Sequence, residues 1–286
     1  MNAPASILYL HGFASTGNAT KAEELRRAFG SGGEVLSPTL DPDPEKAWGQ
    51  ISQILNVPHE QMPLLVVGSS LGGFYADYAR LRFNVACVLV NPLVEPERLE
   101  PFVGTNRNQK TGEPFEFTRK DLDSLLQMKR EKEALRRSLA PALVLVAEDD
   151  ELLPFRVARD HYQSLGLRIV TVPQGGHRFE NAKAYLKGVE ATLQQGLLHF
   201  AHKLSSAHEP LIRSSKVCGC FFCGKLFGPE EIVDWVEEGS SRPEKPVRTA
   251  LCPYCPVDSV LPESPRYRLD AAFLAQMREE YFANVP

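Results

Sequence analysis

Leu64-Leu65-Val66-Val67-Gly68-Ser69-Ser70-Leu71-Gly72-Gly73-Phe74-Tyr75-Ala76 is the stretch on which the fold turns. Leu64–Val67 is a short apolar run, as expected of a strand buried on both faces. The residues from Leu71 onward read as a helix. Between them lies Gly68-x-Ser70-x-Gly72. A serine at such a junction sits on a strained strand-to-helix turn, with its hydroxyl presented above the sheet. Small flanking residues let the backbone pass close to its neighbours, and the N–H after the serine helps to hold an oxyanion.

Working outward, further apolar runs fall at Ile7–Leu10, Val85–Val90, Leu143–Val146 and Ile169–Val172, with Val35–Leu36 a weaker one. Helix patterns lie between them, near 21–28, 45–56, 71–82, 121–137, 155–165 and 180–202. Thr20 with Glu23 predicts a capping box at the first of these. Strand–helix alternation of this kind implies an α/β fold, a doubly wound and mostly parallel sheet. Cys87, inside Val85–Val90, reads as a core residue of a buried strand.

A serine nucleophile needs a base, and the base needs an orienting acid. Leu143–Val146 leads into Ala147-Glu148-Asp149-Asp150-Glu151, and Ile169–Val172 leads into Pro173-Gln174-Gly175-Gly176-His177. Both loops follow the carboxyl ends of expected parallel strands, where open α/β sheets build their sites. His177 is the candidate base and Asp150 the candidate acid, with Asp149 in reserve. In Leu8-Tyr9-Leu10-His11-Gly12-Phe13, a His-Gly turn after an early strand points the N–H of Phe13 toward a developing oxyanion, beside that of Leu71. His11 is read as bracing this loop. His59, His161, His199 and His202 read as surface residues. The stretch 95–137 is expected to cap the site.

Residues 6–200 resemble the small bacterial YqiA/YcfP-type esterases of the α/β-hydrolase superfamily. The stretches that carry the resemblance are Leu8–Phe13, Gly68–Ala76, Val90-Asn91-Pro92-Leu93-Val94-Glu95-Pro96, and Gly175-Gly176-His177 with Phe179. It implies a triad of Ser70, Asp150 and His177, an oxyanion hole from the N–H groups of Phe13 and Leu71, and hydrolysis of carboxylic esters or thioesters through an acyl-enzyme without a cofactor. Asp149 departs from the pattern, since the family tends to carry glycine before its acid. The choice between the two aspartates therefore stays open.

The last quarter of the chain has a different character. Five of the six cysteines fall there, as Cys218, Cys220, Cys223, Cys252 and Cys255. Cys220-Phe221-Phe222-Cys223 and Cys252-Pro253-Tyr254-Cys255 are two Cys-x-x-Cys pairs, which can offer four thiolates to a structural Zn²⁺. Cys218 is spare, or replaces Cys220. About 70 residues with few apolar side chains need such a staple. Trp235, Phe227 and Phe282 read as core.

Residues 216–282 also resemble small uncharacterised bacterial cytoplasmic zinc-ribbon-like proteins. The resemblance rests on both cysteine pairs, Ile232 with Trp235, Thr249-Ala250-Leu251 before Cys252, and Asp258-Ser259-Val260. Pro256 stands where such knuckles usually carry glycine, and proline resists positive φ, so a distorted second knuckle is expected. The expected division is a hydrolase domain over 1–203, a Ser- and Pro-containing linker over 204–215, and the ribbon-like domain over 216–286, with a polar loop at 239–247.

Composition excludes some roles. The chain has 286 residues and a formal net charge of −4. Residues 203–286 hold 10 Lys/Arg against 12 Asp/Glu, so no basic face invites nucleic acid. No apolar run approaches the ~18 residues of a membrane span, and no cation precedes Ile7–Leu10 as in a signal peptide. A cytoplasmic setting is expected, with a small acyl ester or thioester as substrate. Docking onto the hydrolase domain or onto another protein is the expected use of the tail. The rival expectation is a zinc-dependent interaction protein whose hydrolase-like domain turns over little or nothing.

Overall fold

The structure, a computed structural model, describes residues 6–30, 35–135, 137–238 and 247–283. It divides into two compact units, 1–196 and 197–286. The first runs β1 (Ile7–Leu10), α1 (Thr20–Phe29), β2 (Val35–Leu36), α2 (Pro44–Leu55), β3 (Leu65–Ser69), α3 (Leu71–Phe83) and β4 (Ala86–Val90). It continues with a hairpin of β5 (Gly104–Arg107) and β6 (Pro114–Phe117), then α4 (Arg119–Ala134), β7 (Ala142–Ala147), α5 (Phe155–Ser164) and β8 (Arg168–Val172). The division falls inside the next helix, α6 (Ala182–Lys203).

Six strands form one sheet in the order β2-β1-β3-β4-β7-β8, and every neighbouring pair is parallel. This is the doubly wound α/β sheet expected from the apolar runs. Strand alternation sorts the side chains between its two faces. Ile7, Tyr9, Leu65, Val67, Val88 and Val90 pack with Ala22 and Leu25 of α1 and Tyr185 and Val189 of α6. Leu8, Leu10, Val66, Cys87, Leu89 and Val144 pack with α2, α3, α4 and α5 on the other. After β1 the chain steps to one side, to β2, and all later strands lie on the other side. The order therefore reverses between β1 and β3, and crevices at carboxyl strand ends form at such a reversal.

The helix after the candidate serine is enclosed: Leu71 through Arg80 are all buried. Its charges are paired internally. Asp77, 1% exposed, meets Arg80 at 2.9 Å and Lys132 of α4 at 2.9 Å. The two attractions outweigh burial and keep the Asp77 carboxyl ionised,.

At α1 the expected capping box does not form. Thr20 is already helical, the cap position is Ala19, and no side chain caps it. Glu23 instead pairs with Lys110 at 3.3 Å. The box that does form is at α4, where Thr118 and Asp121 bond each other's backbone N–H.

Gly72 shows how tightly α3 meets β1. A Cβ there would stand 2.0 Å from the Leu10 carbonyl oxygen, a backbone atom that cannot step aside. Gly72→Ala is expected to destabilise the first unit by about 3 kcal/mol, measured by urea denaturation. Gly49, in α2 with nothing within 4 Å of its added Cβ, is the control. Its replacement by Ala is expected to stabilise by up to about 1 kcal/mol.

The second unit contains α7 (Glu209–Ser214), then a three-stranded antiparallel sheet of β9 (Cys218–Cys220), β10 (Leu226–Phe227) and β13 (Val260–Leu261) in the order β10-β9-β13. A hairpin of β11 (Trp235–Glu238) and β12 (Val247–Ala250) and a final helix α8 (Ala271–Phe282) complete it. The stretch 204–215, read from its serines and proline as a linker, carries α7. Its Ile212 is fully buried among Cys218, Cys220, Phe227 and Val260. Of the polar loop expected at 239–247, residues 239–246 lie outside those described. Phe227 is core, and Trp235 is packed against that core with the guanidinium groups of Arg213 and Arg248 at 5.2 and 5.6 Å from its ring.

Candidate active site

The site assembles at the carboxyl ends of β1, β3, β4, β7 and β8. Ser70 follows β3 with φ 55° and ψ −119°, a left-handed conformation that a non-glycine residue adopts only under constraint. The constraint is visible. Ser70 N–H donates to the Val90 carbonyl at 3.0 Å, and the Ser70 carbonyl accepts from Gly73, Phe74 and Leu93. Gly12 faces the serine so closely that an added Cβ would lie 3.1 Å from Ser70 Cβ and 3.6 Å from Oγ.

The candidate base and acid meet. His177 Nδ1 lies 3.0 Å from both carboxylate oxygens of Asp150, whose side chain is 1% exposed. Asp150 also accepts the backbone N–H groups of Leu152 and Leu153, at 2.9 and 2.8 Å. Its neighbours hold the histidine loop rather than the ring. Asp149 Oδ1 accepts the N–H of Gly176 at 2.8 Å, and Glu151 Oε2 accepts that of His177 at 2.9 Å. The Gly176 bond, the largest cause, holds the Asp149 carboxyl below the usual range.

Ser70 and His177 make no direct hydrogen bond; Asn91 links them. This buried residue follows Val90, the acceptor for Ser70, and takes the left-handed φ of 39°. Its side-chain amide donates to the carbonyls of Gly176 and His177 at 2.9 and 3.0 Å and accepts from Ala147 N–H at 2.9 Å. Sequence reasoning passed over Asn91 as a functional residue. Its signals were its place directly after a buried strand and its membership of the Val90–Pro96 stretch that carries the family resemblance.

On the β1 side His11 is 6% exposed, with Nδ1 donating to the Gly12 carbonyl at 2.8 Å and Nε2 accepting from Leu40 N–H at 2.9 Å. Burial pushes its pKa down. Both nitrogens of this neutral ring are spent on the backbone, which suits a brace. The N–H groups of Phe13 and Leu71 donate to no described residue. Both residues line a cavity of about 260 Å³. Its outer wall is the β5–β6 hairpin, within the stretch expected as a cap. The Phe13 ring sits among Phe102, Phe115 and Phe117 at 5.2–5.7 Å between centroids. The hairpin tip is tied down by Gln109 N–H to Ala14 O and by Asn108 Nδ2 to Ser15 O, both 2.8 Å.

In the second unit the sulfurs of Cys220, Cys223, Cys252 and Cys255 all lie within 4.8 Å of one another and can hold a metal ion. Cys220 and Cys255 are 3.6 Å apart, and Cys223 and Cys252 3.7 Å. Donors already point at these sulfurs: Ser259 Oγ at 3.2 Å and Cys223 N–H at 3.5 Å from Cys220, and Tyr254 N–H at 3.4 Å from Cys252. Cys218 lies outside the group, in the core of the unit, and burial pushes its thiol up to about 12. Gly224 follows the first pair at φ 75°, and Pro256 follows the second at φ 24°. Proline does take positive φ here, against expectation.

A six-stranded parallel sheet, a serine on a left-handed elbow after β3 and an acid–histidine pair after β7 and β8 define the α/β-hydrolase fold. The chain belongs to the uncharacterised protein family UPF0227, whose profile matches residues 6–194. A UPF0227 protein of Pectobacterium carotovorum is 27% identical over 191 residues, 65% of this chain and 97% of that protein. Among solved structures, the monoacylglycerol lipase of Paleococcus ferrophilus superposes with a TM-score of 0.53 at 14% identity, over 68% of this chain and 97% of its own. Est1E of Butyrivibrio proteoclasticus, solved with ferulic acid, gives 0.52 at 15% identity, over 68% and 90%. At such identities the likeness is one of fold. Among the described residues no helix is long and apolar enough to cross a membrane.

Proposed function

We propose that the first unit is a serine hydrolase of carboxylic esters or thioesters. The observation that carries this reading is the bond from His177 Nδ1 to the buried Asp150 carboxylate. It directs the ring's other nitrogen, Nε2, away from the acid and leaves it for a serine proton. In the reaction, Nε2 takes the Ser70 proton as Oγ attacks the acyl carbon. The carbonyl electrons move onto oxygen, which receives the N–H groups of Phe13 and Leu71. Collapse of that intermediate expels the alcohol or thiol, protonated by His177, and leaves an acyl-enzyme. Water, deprotonated by the same histidine, releases the acid and regenerates Ser70. Asp150 fixes the tautomer and stabilises the imidazolium. Each oxyanion donor contributes about 3–4 kcal/mol in measured cases of this kind.

The assay is hydrolysis of short p-nitrophenyl esters, and the discriminating variants are at the two aspartates. Asp150→Asn leaves the ring's tautomer unsupported and is expected to lower kcat by about 10⁴-fold. Asp149→Asn keeps an oxygen for the Gly176 N–H and is expected to stay within about tenfold of the parent. The opposite ranking would assign the acid to Asp149.

For the second unit we propose a structural Zn²⁺ on Cys220, Cys223, Cys252 and Cys255. A tetrahedral Zn²⁺ with Zn–S near 2.3 Å sets its sulfurs about 3.8 Å apart, and the separations of 3.6 and 3.7 Å lie close to that edge. Zinc takes no part in ester cleavage in this reading.

A further inference from the structure

The cavity beside Ser70 has a charge character that fold and triad do not dictate. Asp41 and Glu113 line it, and no lysine or arginine does. Asp41 Oδ1 accepts the Asp43 N–H at 2.9 Å, and neither carboxylate is paired with a cation among the described residues. His11, the one basic side chain in the wall, is held neutral by burial, with its Nε2 already accepting the Leu40 N–H. A second polar group waits deeper in. Tyr75, on the first turns of α3, is 2% exposed and lines the cavity, yet its hydroxyl has no hydrogen-bond partner among the described residues. Burial keeps that phenol protonated. The hydroxyl oxygen is open to the cavity rather than sealed, so a ligand group there can hydrogen-bond to it.

Which half of the substrate lies here follows from the lining. The residues bearing the oxyanion donors, Phe13 and Leu71, form part of the wall, and His177 does not. The leaving group must lie against His177 to receive its proton, so the cavity takes the other half. We infer that the cavity beside Ser70 binds an acyl chain ending in a protonated amine, its charge between Asp41 and Glu113 and a polar atom on the Tyr75 hydroxyl. The inference rests on the esterase reading and narrows it to aminoacyl-type esters. At about 260 Å³ the space lies just below the ~300–1,000 Å³ of drug-sized ligand sites, which suits a short chain.

The test compares two isosteric substrates on the full-length protein at low salt, the p-nitrophenyl ester of ε-aminocaproic acid and p-nitrophenyl heptanoate. The quantity read is the ratio of their kcat/KM values. Two partly exposed ion pairs are expected to favour the cationic ester by about fivefold to twentyfold, and by less at high salt. In Asp41→Asn/Glu113→Gln the ratio is expected to fall to about one, and Tyr75→Phe is expected to reduce it about threefold. A ratio of one or below in the unaltered protein, with heptanoate still hydrolysed, would overturn the inference and leave the esterase intact. An undiminished ratio in the double variant would overturn it too. If neither ester is turned over and a fluorophosphonate does not label Ser70, the esterase reading falls and this inference falls with it.

Discussion

Ser70→Ala is expected to lower ester turnover by about 10⁴-fold or more and to abolish labelling by a fluorophosphonate. The reason is local. In the proposed mechanism every covalent step passes through Oγ, and the oxyanion donors alone would retain only the part of catalysis that comes from binding. The fold is not at stake, because the Ser70 contacts that hold the elbow are made by its backbone N–H and carbonyl. Alanine has to take the same left-handed φ, as serine already does, so thermal stability is expected to stay near the parent's. An inactive variant with an unchanged melting curve separates chemistry from folding. Full labelling of the variant would remove Ser70 from the mechanism.

Metal removal is expected to act on the other unit. Freshly purified protein should carry one zinc per chain, and stripping it with a chelator, or replacing Cys223 by Ser, should unfold the second unit. Structural zinc contributes about 10–16 kcal/mol in small domains that bind it, more than the stability of most domains of this size. Without the metal, four free thiols lie within 4.8 Å of one another, and no coordinate bond joins the two cysteine pairs. Trp235, packed against that core, should report the loss through its fluorescence in a Trp48→Phe background. Ester turnover should survive, since Ser70, Asp150 and His177 all belong to the first unit. Less than about half a zinc per chain in a well-folded sample would refute the site.

Much of this architecture was readable in the residues. Ile7–Leu10 is a strand with the same limits in sequence and structure, because parallel strands covered on both faces must be continuously apolar. The two cysteine pairs declared their cluster, since Cys-x-x-Cys closes a knuckle locally. The β5–β6 hairpin was hidden: Gly104–Arg107 alternates between half-buried and exposed, and in Pro114–Phe117 only Phe117 is fully buried. Such a short ribbon, with polar residues between its phenylalanines, is defined by what it covers. The choice of Asp150 over Asp149 as the partner of Nδ1 was likewise unreadable from four adjacent carboxylates. It depends on which way a turn faces, and that is set by Asp149 and Glu151 gripping the N–H groups of Gly176 and His177. The helix at 209–214 was obscured by its surroundings, because Ser205, Ser206, Ser214, Ser215 and Pro210 mark the stretch as a linker while one buried side chain, Ile212, anchors it.

Asn91 has a consequence for how a protein of this kind can diversify. Its amide bridges the ends of β4, β7 and the histidine loop, and none of these three bonds involves the hairpin that walls the cavity. On the proposed reading, the proton-handling residues are thus referenced to the sheet, and the acyl-facing wall is referenced to the loop after β1 through Asn108 and Gln109. Changes in the hairpin can retune which acyl group is accepted without displacing His177. Selectivity and chemistry are therefore free to drift on separate clocks.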